Sequence, residues 1–227
     1  MPYFELSKDD FSFPPAYFAA NDGLVAVGGD MDFRRLLVAY SNGIYYWHYP
    51  LKHIKWWSPD PRTVILLDAF KVSEDRLTRL ENQFTSDITT DFENLLRLCQ
   101  RVYNIKGRMN ETWLSERAFR TFLELYEKGY VRAIEVKKDN ELVGGVFGIS
   151  IGKLFFAEYL FGIEKFADEL ALLRLIMELK ELGYQLIDMQ KPTAFLEGIE
   201  YDELSRIEYV SICKENSEKY ISEILNS

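Results

Sequence analysis

Asp188 and Gln190, in the string Gln185-Leu186-Ile187-Asp188-Met189-Gln190, are the first candidates for chemistry in this chain. The string reads as a strand, and residues two apart in a strand share a face, which puts Asp188 and Gln190 on one side and Ile187 and Met189 on the other. Glu158 is the matching anomaly in the apolar run from Leu154 to Phe161. A carboxyl buried without a partner is costly, so these groups either converge on a site or sit at strand ends near solvent. Converged, two acids and an amide can orient a nucleophile and handle its proton. The residues alone leave both alternatives open.

A second cluster is aromatic. Gly43-Ile44-Tyr45-Tyr46-Trp47-His48-Tyr49-Pro50 is followed closely by Trp56-Trp57-Ser58-Pro59-Asp60-Pro61-Arg62. Such a segment is either a core built from loops or a platform for a base or an apolar side chain. His48 and His53 are the only histidines, and neither has a Cys or a second His at ligand spacing, so no metal site is expected. Ser58 lacks the turn that exposes a hydrolase nucleophile. Gly28-Gly29-Asp30 carries an acid where a phosphate loop needs Lys-Ser/Thr, and reads as a turn into a helix.

The elements that must position these residues follow from periodicity and breakers. A short helix is expected over Phe33 to Tyr40, capped by Asp30 or Asp32 and ended at Gly43. Thr63 to Leu67 reads as a strand, and helical patterns follow at Glu74 to Gln83 and Phe92 to Tyr103. Ser115 caps a helix burying Phe119, Phe122, Leu123 and Tyr126. Val131 to Lys137, Leu142 to Ile149 and Leu154 to Phe161 form an antiparallel meander. A helix from Phe166 to Leu182 then leads into Gln185 to Gln190, a strand that must return beside the meander. The class is α+β, with a small loop-rich domain over residues 1–63 and a larger domain over 64–227.

Composition narrows the function. A chain of 227 residues that is 48% hydrophobic and 28% charged is globular and large enough to bury its own core. Cys99 and Cys213 are too few and too far apart for a disulfide framework. No apolar run is long enough for a membrane helix, and Glu5, Lys8, Asp9 and Asp10 occupy the place of a signal sequence, so a soluble, cytoplasmic protein is expected. The net charge of −9 argues against a general nucleic-acid binder. Local patches run the other way: Arg34, Arg35, Lys52, Lys55 and Arg62 face only Asp60 between residues 33 and 62, and residues 97 to 108 hold Arg97, Arg101, Lys106 and Arg108 without an acid. These are either solvated faces or salt-sensitive phosphate contacts.

The ordered blocks Gly23-Leu24-Val25-Ala26-Val27-Gly28-Gly29-Asp30, Arg35-Leu36-Leu37-Val38-Ala39-Tyr40, Trp56-Trp57-Ser58-Pro59-Asp60-Pro61-Arg62, Thr112-Trp113, Leu142-Val143-Gly144-Gly145 and Leu186-Ile187-Asp188-Met189-Gln190 resemble the leucyl/phenylalanyl-tRNA–protein transferase family. The resemblance implies a small N-terminal domain on a GNAT-type acyltransferase core. It also implies transfer of Leu or Phe, with Met a further donor, from charged tRNA to the α-amine of proteins that begin with Arg or Lys, which marks them for degradation in bacteria. By the same resemblance Asp188 and Gln190 orient the acceptor amine and relay its proton, and Glu158 lies beside the aminoacyl group. Trp47, Phe155 and Ile187 match the pocket for the Leu or Phe side chain, and Tyr40 and Trp113 match the surroundings of the adenosine end. No cofactor is implied, the partners are aminoacyl-tRNA and the acceptor protein, and a monomer is expected.

Two other readings compete. A GNAT-type enzyme using acyl-CoA needs a turn that binds pyrophosphate at the N-terminus of the helix after the meander, where this chain has Glu164, Asp168 and Glu169. A divergent member that binds charged tRNA or basic N-termini without transfer is opposed by the retained Asp188 and Gln190.

Overall fold

In a computed structural model of the protein, residues 3–47, 53–105, 114–193 and 196–226 are described. Strands β1 (Phe4–Leu6), β2 (Leu24–Gly28), β3 (Tyr45–Trp47) and β4 (Lys55–Trp57) make a four-stranded sheet in the order β1-β2-β4-β3. Helix α1 (Phe33–Ser41) packs with it, and Leu36, Leu37 and Tyr40 are buried as their spacing requires. Asp32 caps α1 by accepting from the Arg34 N–H, an arrangement that contributes about 1 kcal/mol. Gly43 ends the helix region at φ +71°, where a Cβ would meet Val210 at 2.9 Å, so only glycine fits.

The second sheet has seven strands in the order β11-β5-β10-β9-β8-β7-β6. It is formed by β5 (Arg62–Leu66), β6 (Thr85–Ile88), β7 (Val131–Lys138), β8 (Glu141–Ile151), β9 (Leu154–Gly162), β10 (Leu186–Gln190) and β11 (Asp202–Leu204). The meander β7-β8-β9 is antiparallel, as expected from its turns. Helix α5 (Ala167–Glu181) then crosses over, and β10 returns parallel to β9 and antiparallel to β5. Helices α2 (Glu74–Glu81), α3 (Phe92–Ile105) and α4 (Glu116–Glu127) lie where the helical periodicity falls. Within the larger sheet and its helices, three elements have no counterpart in the sequence patterns: β6, β11 and the long helix α6 (Arg206–Asn226).

Two hydrophobic layers sandwich the large sheet. Leu170, Leu173 and Ile176 of α5 pack with Phe155 and Ile187 on one face. The opposite layer joins Phe156, Leu154 and Leu186 to α1, α3, α4 and Tyr209 of α6, and it runs without interruption into the small sheet. Among the described residues, no helix is long and apolar enough to cross a membrane.

Candidate active site

The site lies where β9 and β10 stop pairing. Their register runs Leu186 with Leu154, Ile187 with Phe155 and Asp188 with Phe156, and ends there. Both strands are irregular at that point. In β9, Ala157 faces Gly148 and Tyr159 faces Phe147, which leaves Glu158 as an extra residue. In β10, Asp188 faces Val64 and Gln190 faces Thr63, which leaves Met189 as the extra one. Bulges of this kind re-aim side chains and end pairing. Gly148 permits the first of them, since a Cβ there would lie 2.1 Å from the Phe156 carbonyl oxygen.

Glu158 emerges from its bulge partly buried, and its carboxylate accepts a hydrogen bond from the Tyr40 hydroxyl of α1. Burial raises the Glu158 carboxyl to about 8, the Tyr40 bond offsets part of that rise, and Asp188 adds to it. Tyr40 itself has no exposure and packs on Phe156 with ring centroids 4.9 Å apart. Gln190 adopts φ +65°, and its side-chain amide donates to the carbonyl of Ala157, the residue before Glu158, at 3.1 Å. The amide therefore bridges the two strands where the ladder has ended.

Asp188 is placed differently from the expectation that it contacts an acceptor amine. Its side chain has no exposure, Oδ1 accepts from Arg62 Nε (2.8 Å) and the Gln190 N–H (2.8 Å), and Oδ2 accepts from Arg62 Nη2 (2.6 Å) and the Tyr209 hydroxyl (2.7 Å). Both oxygens are thus engaged, one of them by the backbone of Gln190. The expected alternation also fails at the end of β10: the bulge brings Met189 and Gln190 to line one cavity together.

Arg62 needs the corresponding correction. Its place in a basic stretch suggests a solvated face or a phosphate contact, yet it is fully buried, with its guanidinium over the rings of Tyr45 (4.7 Å) and Tyr209 (4.5 Å). Burial works against its charge, but Asp188 and its hydrogen bonds outweigh that and raise its pKa. Arg35 is likewise buried, donating to Asp30, Ser7 O, Lys8 O and Asp10 O, so it straps the N-terminal segment to α1. Arg34 is held by Asp32 at 2.8 Å. Lys55 is free of such a partner among the described residues, with its ammonium 5.8 Å from the Trp57 ring. Lys52 and Trp113 lie outside the described residues.

Beside Gln190 is a cavity of about 270 Å³ lined by Tyr45, Trp47, Trp57, Met189, Gln190, Lys191 and Thr193. Its lining is mostly aromatic and aliphatic, and the Lys191 ammonium stands 5.6 Å from the Trp57 ring. Trp57 Nε1 is buried and finds no acceptor among the described residues. Trp47 lines this cavity, whereas Phe155 and Ile187, expected beside it, do not. Those two are register partners without exposure, turned to the α5 face because they alternate with Phe156 and Asp188. Tyr45, Trp57 and Lys191 were not singled out individually, although the aromatic string had drawn attention to the first two. Tyr209 was missed entirely, because one tyrosine on an amphipathic helix carries no local signal. A second, polar cavity lies at the start of α5, lined by Arg76, Glu164, Lys165, Asp168, Glu169 and Glu197 among others.

A meander, a crossover helix and a returning strand, with Glu158 and Gln190 at the point where the strands separate, make an α+β core whose candidate site lies at the end of β10. The family profile described as leucyl/phenylalanyl-tRNA protein transferase matches residues 64–214, and the profile of that family's N-terminal domain matches residues 29–60. The chain belongs to this family. A leucyl/phenylalanyl-tRNA–protein transferase from Syntrophobacter fumaroxidans is 36% identical over 95% of this chain and 92% of its own length. Another from Flavobacterium johnsoniae is 35% identical over 92% of this chain and 98% of its own. Among solved structures, L-PGS from Bacillus licheniformis gives a TM-score of 0.44 at 16% identity, covering 62% of this chain and 49% of that one. FemX gives 0.46 at 10% identity, covering 66% and 57%.

Proposed function

We propose that this protein transfers Leu or Phe from charged tRNA to the α-amine of acceptor proteins beginning with Arg or Lys, in a bacterial cytoplasm, and so marks the acceptors for degradation. The observation that carries the mechanism is the placement of Glu158, held by the Tyr40 hydroxyl and next in sequence to Ala157, whose carbonyl accepts from the Gln190 amide; burial pushes its carboxyl up to about 8. An aminoacyl ester is already activated, so the enzyme must chiefly hold a neutral amine in line and move one proton. The amine attacks the ester carbonyl, and Glu158 takes the proton that the nitrogen releases. The adduct collapses as the ester C–O bond breaks, Glu158 returns the proton to the ribose oxygen, and peptide and tRNA leave. A base poised near the operating pH suits both transfers. Gln190 orients the reacting groups, and Asp188 fixes Gln190 from below.

The aromatic cavity beside Gln190 fits the aminoacyl-adenosine end, with Trp47 and Trp57 as apolar walls and the Trp57 N–H, which has no acceptor among the described residues, as a donor. Lys55 and Lys191 stand at that cavity's Trp57 wall and supply charge for the adjoining phosphates. The acids at the start of α5 disfavour a pyrophosphate and support an aminoacyl donor over acyl-CoA. Residues 1–63 serve in this scheme as a small domain that supplies Tyr40, Tyr45 and Trp47, and 64–227 as the catalytic domain. The net charge of −9 favours a cationic acceptor. The test is transfer of labelled Leu or Phe from charged tRNA to a protein with N-terminal Arg, beside one with N-terminal Gly. Transfer confined to the basic acceptor supports the reading, and equal labelling of both or of neither refutes it.

A further inference from the structure

We infer that Tyr209, on helix α6, is a positioning residue for transfer, its hydroxyl acting with Arg62 to fix the Asp188 carboxylate that holds the backbone of Gln190. The inference rests on the aminoacyl-transfer reading above for its catalytic consequence, but its geometry stands independently.

Gln190 needs holding. Its φ of +65° is one that residues with side chains rarely adopt, and the ladder to β9 ends two residues before it. Beyond its pairing with Thr63 of β5, this backbone is held by a bond from the Gln190 N–H to Asp188 Oδ1. Asp188 can serve only if its carboxylate keeps one orientation, and three donor atoms set that orientation: Nε and Nη2 of Arg62 and the Tyr209 hydroxyl. Charged hydrogen bonds with no solvent exposure on either side chain are strong and directional.

Tyr209 is itself fixed. Its ring stacks on the Arg62 guanidinium at 4.5 Å, opposite Tyr45, and its carbons would lie 3.2 Å from a Cβ at position 43, so Gly43 is what allows the close approach. Helix α6 thus reaches beneath the two bulged strands and contributes one hydroxyl to a chain of contacts running Tyr209 to Asp188 to Gln190 to Ala157, next to Glu158. Packing alone would be met by a phenylalanine. A positioning role requires the oxygen.

Tyr209→Phe separates these roles, because it keeps the ring and removes only the donor. The expected result is a fall in kcat of about tenfold or more with KM for charged tRNA within about twofold, as loss of one hydrogen bond to a charged group implies. Amide hydrogen exchange at Gln190 should quicken by about tenfold, while Ile187 in the same strand stays protected. Unchanged kcat with unchanged Gln190 exchange overturns the inference, as does a uniform loss of protection throughout β10, which would indicate packing only. If the wild-type chain transfers nothing, the functional reading fails and takes the catalytic consequence with it. Gln190 exchange in the variant still decides the structural clamp.

Discussion

Glu158 and Met189 are counterparts: each is the residue that its strand carries in excess of the neighbouring one, Glu158 in β9 against β8 and Met189 in β10 against β5. The paired bulges end the sheet's pairing at one place, with Gln190 lining the cavity there and Glu158 held nearby by Tyr40.

Gly148→Ala should disrupt the bulge in β9. The added methyl would stand 2.1 Å from the Phe156 carbonyl and 2.6 Å from the Phe155 ring, and a backbone carbonyl within a sheet cannot step aside cheaply. We expect a lower melting temperature and loss of transfer. Circular dichroism melts and the transfer assay check this, and a variant with wild-type values of both would remove the bulge from the mechanism.

Glu158 sets a pH dependence with a definite sign. Transfer needs both the carboxylate and a neutral acceptor amine, whose pKa is about 8, so log kcat/KM should rise with a slope of about two below pH 7 and flatten above about 8. In Glu158→Gln the slope should fall to about one, and the plateau rate should drop by about a hundredfold or more. A slope of two retained in the variant would assign the second proton elsewhere.

The same group makes stability depend on pH. Its pKa is about 8 in the fold against 4.5 when unfolded, so the folded state holds a proton that the unfolded chain has released between those values. Its contribution is fully present below about 4.5 and is lost as pH rises through about 8. Urea denaturation at intervals across this window should show wild-type stability falling relative to Glu158→Gln. Parallel curves would count against it.

Removing Asp188 should damage the fold as well as the reaction. Asp188→Ala leaves Arg62 charged, buried and unpaired, which costs about 3–5 kcal/mol and should lower the melting temperature by on the order of 10 °C. A direct catalytic acid at the surface of a cavity would lose rate without that drop, and calorimetry tells the two apart.

Charge reversal should discriminate among bases that look alike in sequence. Lys55→Glu, near the aromatic cavity, should weaken tRNA binding and lower its salt dependence by about one phosphate contact. Arg34→Glu, at a position already neutralised by Asp32, should change affinity little. Filter binding across salt concentrations measures both, and equal effects would refute the assignment.

The meander, α5 and β10 were legible because alternation, turn residues and helical spacing are local properties of the chain. Asp188, Gln190 and Glu158 were visible as polar residues in apolar strands. Their roles were not visible, because two bulges and the φ of Gln190 decide them, and neither leaves a mark in hydrophobic alternation. Arg35 and Arg62 read as surface charge for a related reason. A buried guanidinium is identified only by partners that lie far off in the chain, such as Ser7 for Arg35 and Asp188 for Arg62.

That distance has a kinetic consequence. Tyr40 reaches Glu158 across 118 residues, Arg62 reaches Asp188 across 126 and Tyr209 across 147. Contacts so remote in sequence form late and slowly, since long loops must close before any of them stabilises the chain. During vectorial synthesis the small sheet emerges first and waits, with Arg62 unpaired, until β10 and then α6 arrive. The contacts that hold Asp188 and Glu158 are therefore completed only once the C-terminal third of the chain is in place.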